Sequence, residues 1–193
     1  GKIYVCGGLV VAWQVLSVVE CFCPQARRWR RVPSMPTPRC GCTAAGCGGR
    51  VYVLGGQLDD GTVLATAESF SPTSRAWERL PPMPGARSGC SAATAGGLVH
   101  ILGGLGSNGL ALAIVDRFDP QVGDWLPPLQ VPVARAGCAM GSAGEMLYCV
   151  AGFGDDRLDS DKAESLDLAS GEWLQLPAMP FARRLCSGTV VWR

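Results

Sequence analysis

Apolar residues arrive along this chain in short bursts. Lys2 to Cys6 (KIYVC), Arg50 to Leu54 (RVYVL), Leu98 to Leu102 (LVHIL) and Met146 to Val150 (MLYCV) are β-rich, bounded by glycine and too short for helices. Each reads as a strand buried on both faces. A small-residue pair ends each one: Gly7 with Gly8, Gly55 with Gly56, Gly103 with Gly104, and Ala151 with Gly152. There the backbone must turn sharply or approach a neighbour closely. A loop follows, then a second run around an acidic residue (VVECF, AESF, VDRF, AESL). A tight turn leads to a third run around a Trp, stopped by prolines that cannot sit in a ladder. The stretch beyond, such as Cys40 to Ala45 or Ser88 to Thr94, is small and apolar enough for a fourth strand. No helical period is visible.

These landmarks recur every 48 residues without net insertion. Gly8, Gly56, Gly104 and Gly152 keep step with the acidic column Glu20, Glu68, Asp116 and Glu164. So do Trp29, Trp77, Trp125 and Trp173, then Pro36, Pro84, Pro132 and Pro180, then Arg39, Arg87, Arg135 and Arg183. A period of this size marks a repeat architecture, and the chain divides into repeats 1–48, 49–96, 97–144 and 145–193 of one array. Four short strands per repeat make one propeller blade, with the Trp as the bulk that packs blade on blade. The small residues of the fourth strand suit the crowded inner position beside a central channel.

The set VYVLGG, ESF, Trp, Met-Pro and Arg-Ser-Gly resembles the kelch repeat, over the whole chain and four times. Gly-His and Trp-Asp pairs, which mark WD-type repeats, are absent, and so is the sialidase-type Ser-x-Asp-x-Gly-x-Thr-Trp box. Departures are Ala151 for a glycine, Val131 for a methionine, and Leu185 where the other repeats have Gly41, Gly89 and Gly137. The resemblance implies an all-β kelch-type propeller of four visible four-stranded blades. Two closures are compatible with it: a four-bladed disc, in which a C-terminal strand at 186–192 completes the first blade, or the C-terminal part of a six- or seven-bladed one. The first residue is not Met, so the chain is read as a fragment.

Composition narrows the partners. The formal charge is +1, which provides no field for nucleic acid or an anionic membrane. The most apolar segment, Leu9 to Val19, is interrupted by Gln14 and Ser17 and falls short of the roughly 20 residues that span a bilayer. No signal peptide is visible. The 26 Gly and 14 Pro fall at repeat positions and read as turn punctuation. Of ten Cys, Cys42, Cys90, Cys138 and Cys186 occupy one register position, and the rest form no CxxC pair. Reduced thiols that pack as small hydrophobes are expected, and with them the cytoplasm or nucleus.

Four candidate features remain. Arg39, Arg87, Arg135 and Arg183 are expected to ring the channel mouth, where their planar forks would hold an acidic peptide. Arginines at this motif position contact acidic degrons in the kelch adaptors the chain resembles. The competing reading pairs each with a loop aspartate or the acidic residue of its own repeat. Loops that differ between repeats offer Asp60, Asn108 and Asp156 as specificity elements, with Asp155, Asp159 and Asp161 beside the last. That acidic run lacks the regular spacing and terminal Glu of a calcium loop. Loop one is apolar (Leu9, Val10, Val11, Trp13), either a partner patch or, the favoured reading, cover for an edge. Arg27, Arg28, Arg30 and Arg31 cluster at the opposite face and read as a solvated turn.

His100 is the single histidine and stands in register with Tyr4, Tyr52 and Tyr148. That excludes a His-based triad or metal cluster, and no catalytic residue, metal or cofactor is expected. The function expected is protein–protein interaction on the propeller face. By resemblance, this would be substrate recognition for a cullin-type ubiquitin ligase, with cullin components met through a domain absent from this chain. The alternatives are actin or scaffold binding and, last, a metal-assisted kelch-fold enzyme.

Overall fold

The computed structural model describes residues 1–191; Trp192, the last residue of the expected closing strand, lies outside them. Among the described residues, fifteen strands form four antiparallel sheets. The first holds β1 (Ile3–Cys6), β2 (Val19–Cys23) and β3 (Arg28–Val32). The second holds β4 (Thr43–Cys47), β5 (Arg50–Leu54), β6 (Ala67–Ser71) and β7 (Ala76–Leu80). The third holds β8 (Ser91–Ala95), β9 (Leu98–Leu102), β10 (Ile114–Asp119) and β11 (Asp124–Gln130). The fourth holds β12 (Ala139–Ala143), β13 (Met146–Val150), β14 (Ala163–Asp167) and β15 (Trp173–Leu176). One turn of 3-10 helix, Val11–Trp13, lies in loop one where no helix was expected.

Strand order follows chain order in every sheet, as a meander requires, and the small-residue strand lies innermost. That strand opens its sheet: β4 pairs β5, with Ala44 opposite Val53. Each sheet therefore straddles two sequence repeats. The last strand of one repeat is the first strand of the next blade. This leaves the first sheet with three strands, one fewer than expected. Residues 186–191 carry no strand and, among the described residues, make no bridge to β1. The sheets follow one another as an arc, and among the described residues no strand pairing or apolar cluster joins the fourth sheet to the first.

Apolar side chains fill the joints between sheets. Tyr52, Leu54, Val99, Ile101 and Phe118 sit between the second and third sheets; Leu102, Val115, Leu147 and Leu166 sit between the third and fourth. The joint between the first two is smaller, around Val19, Met35 and Val53. Aromatic pairs stitch both directions: Phe70 with Trp77 at 5.2 Å within a sheet, Tyr52 with Phe118 at 5.9 Å across a joint. Each joint also carries a directed bond. The indole Nε1 of Trp77 donates to the Pro33 carbonyl at 2.8 Å, Trp125 to Pro81 at 3.0 Å and Trp173 to Gln130 at 2.9 Å.

The glycine pairs are required by close approach. Gly56 has φ +94°, and a Cβ there would stand 2.6 Å from the Cys40 carbonyl oxygen. Its amide donates to the Arg87 carbonyl at 2.8 Å. A second set of bonds crosses from sheet to sheet: Gly89 N to Gly41 O at 2.8 Å, Gly137 N to Gly89 O at 2.8 Å, and Leu185 N to Gly137 O at 2.7 Å. These hold successive inner strands at one height.

Candidate functional site

The arginine column lies just before each inner strand, on the same end of the sheets as the long loops. It does not form the expected solvent-facing ring. Arg39, Arg87 and Arg135 are buried, each against the acidic residue 29 positions later: Glu68, Asp116 and Glu164. Arg39 Nη2 stands 3.0 Å from Glu68 Oε2, and Arg135 Nη2 2.5 Å from Glu164 Oε2. Nor is the partner the acid of the arginine's own repeat. Because the arginine leads into the next sheet, the acid on that sheet's third strand meets it.

Most of the remaining donors are occupied too, although Arg39 Nε and Arg135 Nε are buried without a partner among the described residues. Arg39 Nη1 donates to the carbonyls of Gly55 at 2.7 Å and Thr66 at 3.0 Å, and its Nη2 to Thr66 Oγ1 at 3.0 Å. Thr37 Oγ1 donates to Glu68 Oε1 at 2.6 Å. Burial pushes the Asp116 carboxyl upward, against the pull of Arg87. A guanidinium so enclosed builds a blade and offers no fork to a ligand. Arg183, the fourth of the column, is exposed.

Asp60, Asn108 and Asp156 are exposed on the loop face, but they share a task. Each side chain accepts the amide two residues on: Asp60 Oδ1 from Thr62 at 2.8 Å, Asn108 Oδ1 from Leu110 at 3.1 Å, Asp156 Oδ1 from Leu158 at 3.1 Å. They stand one period apart, so what was expected to differ between loops is a common turn former. Loop four clasps its neighbour. Asp155 accepts from Ala111 N at 2.7 Å, and Arg157 donates to Gly109 O at 2.7 Å. Arg184 pairs with Asp159, and the Arg157 and Arg184 guanidiniums both lie over the Phe153 ring. Between this loop and residues 133–135 is a cavity of about 490 Å³ rimmed by Asp155, Asp156, Asp159 and Asp161.

Loop one differs in kind. Leu9 bridges Val15, and Val10 N donates to Gln14 O at 3.1 Å, which closes a small hairpin. At its tip Val11 is 95% and Trp13 81% exposed, so the apolar residues do not cover an edge as favoured above. Trp13 also has φ +62°, a left-handed conformation that a bulky side chain adopts only under constraint. Its exposure could not be read from the sequence, which names an apolar loop without saying what it faces.

Several thiols are held protonated by burial, while backbone hydrogen bonds lower the pKa of Cys23. All ten cysteines are unbridged. Burial pushes Cys90 up to about 12 and raises Cys42 and Cys138 of the same column, and it pushes Cys149 of β13 up to about 12. His100 is buried, with Nε2 3.2 Å from the Ala95 carbonyl, and burial lowers its pKa. Among the described residues no group of three or more His, Cys, Asp or Glu is placed to hold a metal. No helix among them is long and apolar enough to cross a membrane.

Comparison with known proteins agrees with this architecture. A solved structure titled "Structure of YjhT" superposes with a TM-score of 0.81 at 20% identity, covering 93% of this chain and 63% of that one. At that identity the likeness concerns the fold, and the chain spans somewhat less than two thirds of that protein's length. The family model described as the KLHDC2/KLHL20/DRC7 kelch-repeats domain matches residues 1–192. With its glycine pairs, tryptophans and buried arginine–acid pairs all at kelch spacing, the chain belongs to the kelch-repeat propeller family.

Proposed function

We propose that this chain is a protein-interaction module whose contact surface is the loop face, anchored by the apolar tip of loop one. One observation carries the proposal: Val11 and Trp13 are solvent-exposed side chains on a hairpin that holds Trp13 at positive φ. Exposed tryptophans held in place are the residue type that dominates binding energy when a partner's pocket covers them. Strain at an exposed apolar residue also points from structure toward use. The repeat framework supports this division of labour. Arg39, Arg87 and Arg135 with their acids, and Trp77, Trp125 and Trp173, are spent in the joints, and the loops are left to meet a partner. The setting we propose is substrate recognition for a cullin-type ubiquitin ligase, on the strength of family membership.

Affinity capture with the purified chain, quantified by mass spectrometry, tests the reading. Trp13→Ala with Val11→Ser is expected to lower recovery of specific partners at least tenfold, while Arg27→Ala with Arg28→Ala on the opposite face leaves it unchanged. Partners that ignore the loop-one substitutions, or follow the opposite face, would overturn it. A captured partner whose cellular level does not respond to inhibition of cullin activation would remove the ligase setting and leave the binding role standing.

A further inference from the structure

The fourth repeat breaks the pattern of the other three beside loop four. Leu112, Ala113 and Ile114 become Ser160, Asp161 and Lys162 one period later. Leu16, Leu64 and Leu112 hold the first of these positions in the earlier repeats. The backbone does not change with the residue. Ser160 N donates to the Gly152 carbonyl at 2.8 Å, as Leu64 N does to Gly56 and Leu112 N to Gly104, both at 2.9 Å. Only the packing differs. Leu112 Cδ2 would stand 3.6 Å from a Cβ built on Gly106, whereas nothing of Ser160 comes within 4 Å of the same point on Gly154.

The cavity of about 490 Å³ is the space this leaves, and Phe153, Gly154, Ser160, Asp161 and Lys162 line it. Its volume is that of a ligand pocket, roughly 300–1,000 Å³. Its walls run from Val133 to Lys162 and include neither end of the chain.

The walls are unevenly charged. Arg135 is spent on Glu164, and Asp159 on Arg184. That leaves Asp155, Asp156 and Asp161 against Lys162. Arg157 is committed to the Gly109 carbonyl and the Phe153 ring. Asp155 and Asp156 each accept one amide through Oδ1, and the Asp161 side chain makes no hydrogen bond among the described residues. Each carboxylate therefore keeps lone pairs for a cation. The wall holds an unused donor as well: Arg135 is 3% exposed, and its Nε meets no acceptor among the described residues. A metal ion would serve the acids alone, and no three of them stand close enough to hold one among those residues. A peptide segment brings a basic side chain and carbonyl acceptors together.

We propose that this cavity receives a lysine or arginine side chain of the protein that docks on the loop face. The assignment rests on the loop-face reading above and supplies its partner chemistry, which is basic where the arginine column had suggested an acidic peptide. The incoming cation meets Asp155, Asp156 and Asp161 in the place that leucine fills in the other repeats.

A pool of degenerate octapeptides, acetylated and amidated at their ends, passed over the immobilised full chain tests this when the retained peptides are sequenced. Wild type is expected to enrich Lys and Arg at least threefold over the input. Ser160→Leu restores the residue of the other repeats on an unchanged backbone and should keep the wild-type Tm while losing that enrichment. Asp161→Asn keeps the side-chain volume and removes one charge, and should at least halve the enrichment. A wild type that retains nothing, enriches acidic residues, or shows no basic preference overturns the assignment, and so does a basic preference that survives both variants. Retention that survives Trp13→Ala with Val11→Ser removes the loop-one anchor instead and leaves the cavity assignment standing.

Discussion

A guanidinium enclosed by protein is held by the groups around it, and their loss costs more than the charge pair itself contributes. Arg87 meets Asp116 in a joint, with Nη1 also donating to the Gly103 carbonyl at 3.3 Å. Arg87→Ala strands a buried carboxylate and should cost about 3–5 kcal/mol in urea unfolding. Arg183→Ala, at the same motif position but in solvent, should change stability by less than about 0.5 kcal/mol in the 193-residue chain at dilutions where it is monomeric. Equal costs would contradict the burial argument. Ala151 presents the reverse case. It holds φ +65°, where Gly55 has +63° and Gly103 +59°, so its Cβ is strained without return. Ala151→Gly should stabilise by about 1 kcal/mol in the same assay. His100 adds pH dependence. Burial lowers its folded pKa, so below the ordinary value of 6.5 the unfolded chain binds more protons than the native one. Its contribution is therefore present above pH 6.5 and is lost as the pH falls through that value toward the lower folded one. His100→Tyr, the residue of the other repeats, should shrink the loss of Tm between pH 7.5 and 5.5; an unchanged loss would place the sensitivity elsewhere.

At the level of elements, the directed bonds across the joints were the least legible part of the chain. Trp77→Phe keeps the ring but leaves the Pro33 carbonyl without its donor, so a cost of about 1–2 kcal/mol is expected in chemical denaturation, against almost none for Trp29→Phe. Strand bursts, turns and the 48-residue period were readable because each rests on local chemistry: glycine at positive φ, proline ending a ladder, an apolar run too short for a helix. The arginine column was not. In sequence each arginine has an acid 19 residues before it, and Arg39, Arg87 and Arg135 have another 29 after, and spacing alone does not choose. What chooses is that the inner strand opens its sheet, which makes the following acid the neighbour. The small residues of that strand were seen, but assigning it to the preceding blade put the arginines in solvent. Asp60, Asn108 and Asp156 combine a turn-forming role with exposure on the loop face. Their one-period spacing is the signal of that shared turn, and it leaves the sequence differences between the loops as they stand.

Across the whole molecule, stability should grade from the middle of the arc toward its ends. The second and third sheets are covered on both sides by neighbouring sheets, and their central strands hold residues with no exposed surface, such as Val53, Leu54, Ile101 and Leu102. The first sheet is covered on one side only, and its joint is the smallest of the three. Local opening draws on the region with the fewest buried apolar contacts, so β1, β2 and β3 should open well below the global unfolding free energy. Native-state hydrogen exchange followed by mass spectrometry should find peptides of β1–β3 exchanging at least tenfold faster than those of β5 and β9 in dilute chain. Equal exchange at β1 and β5 would contradict the gradient. Uniformly slow exchange would mean that the first sheet is covered by a contact the arc itself does not provide.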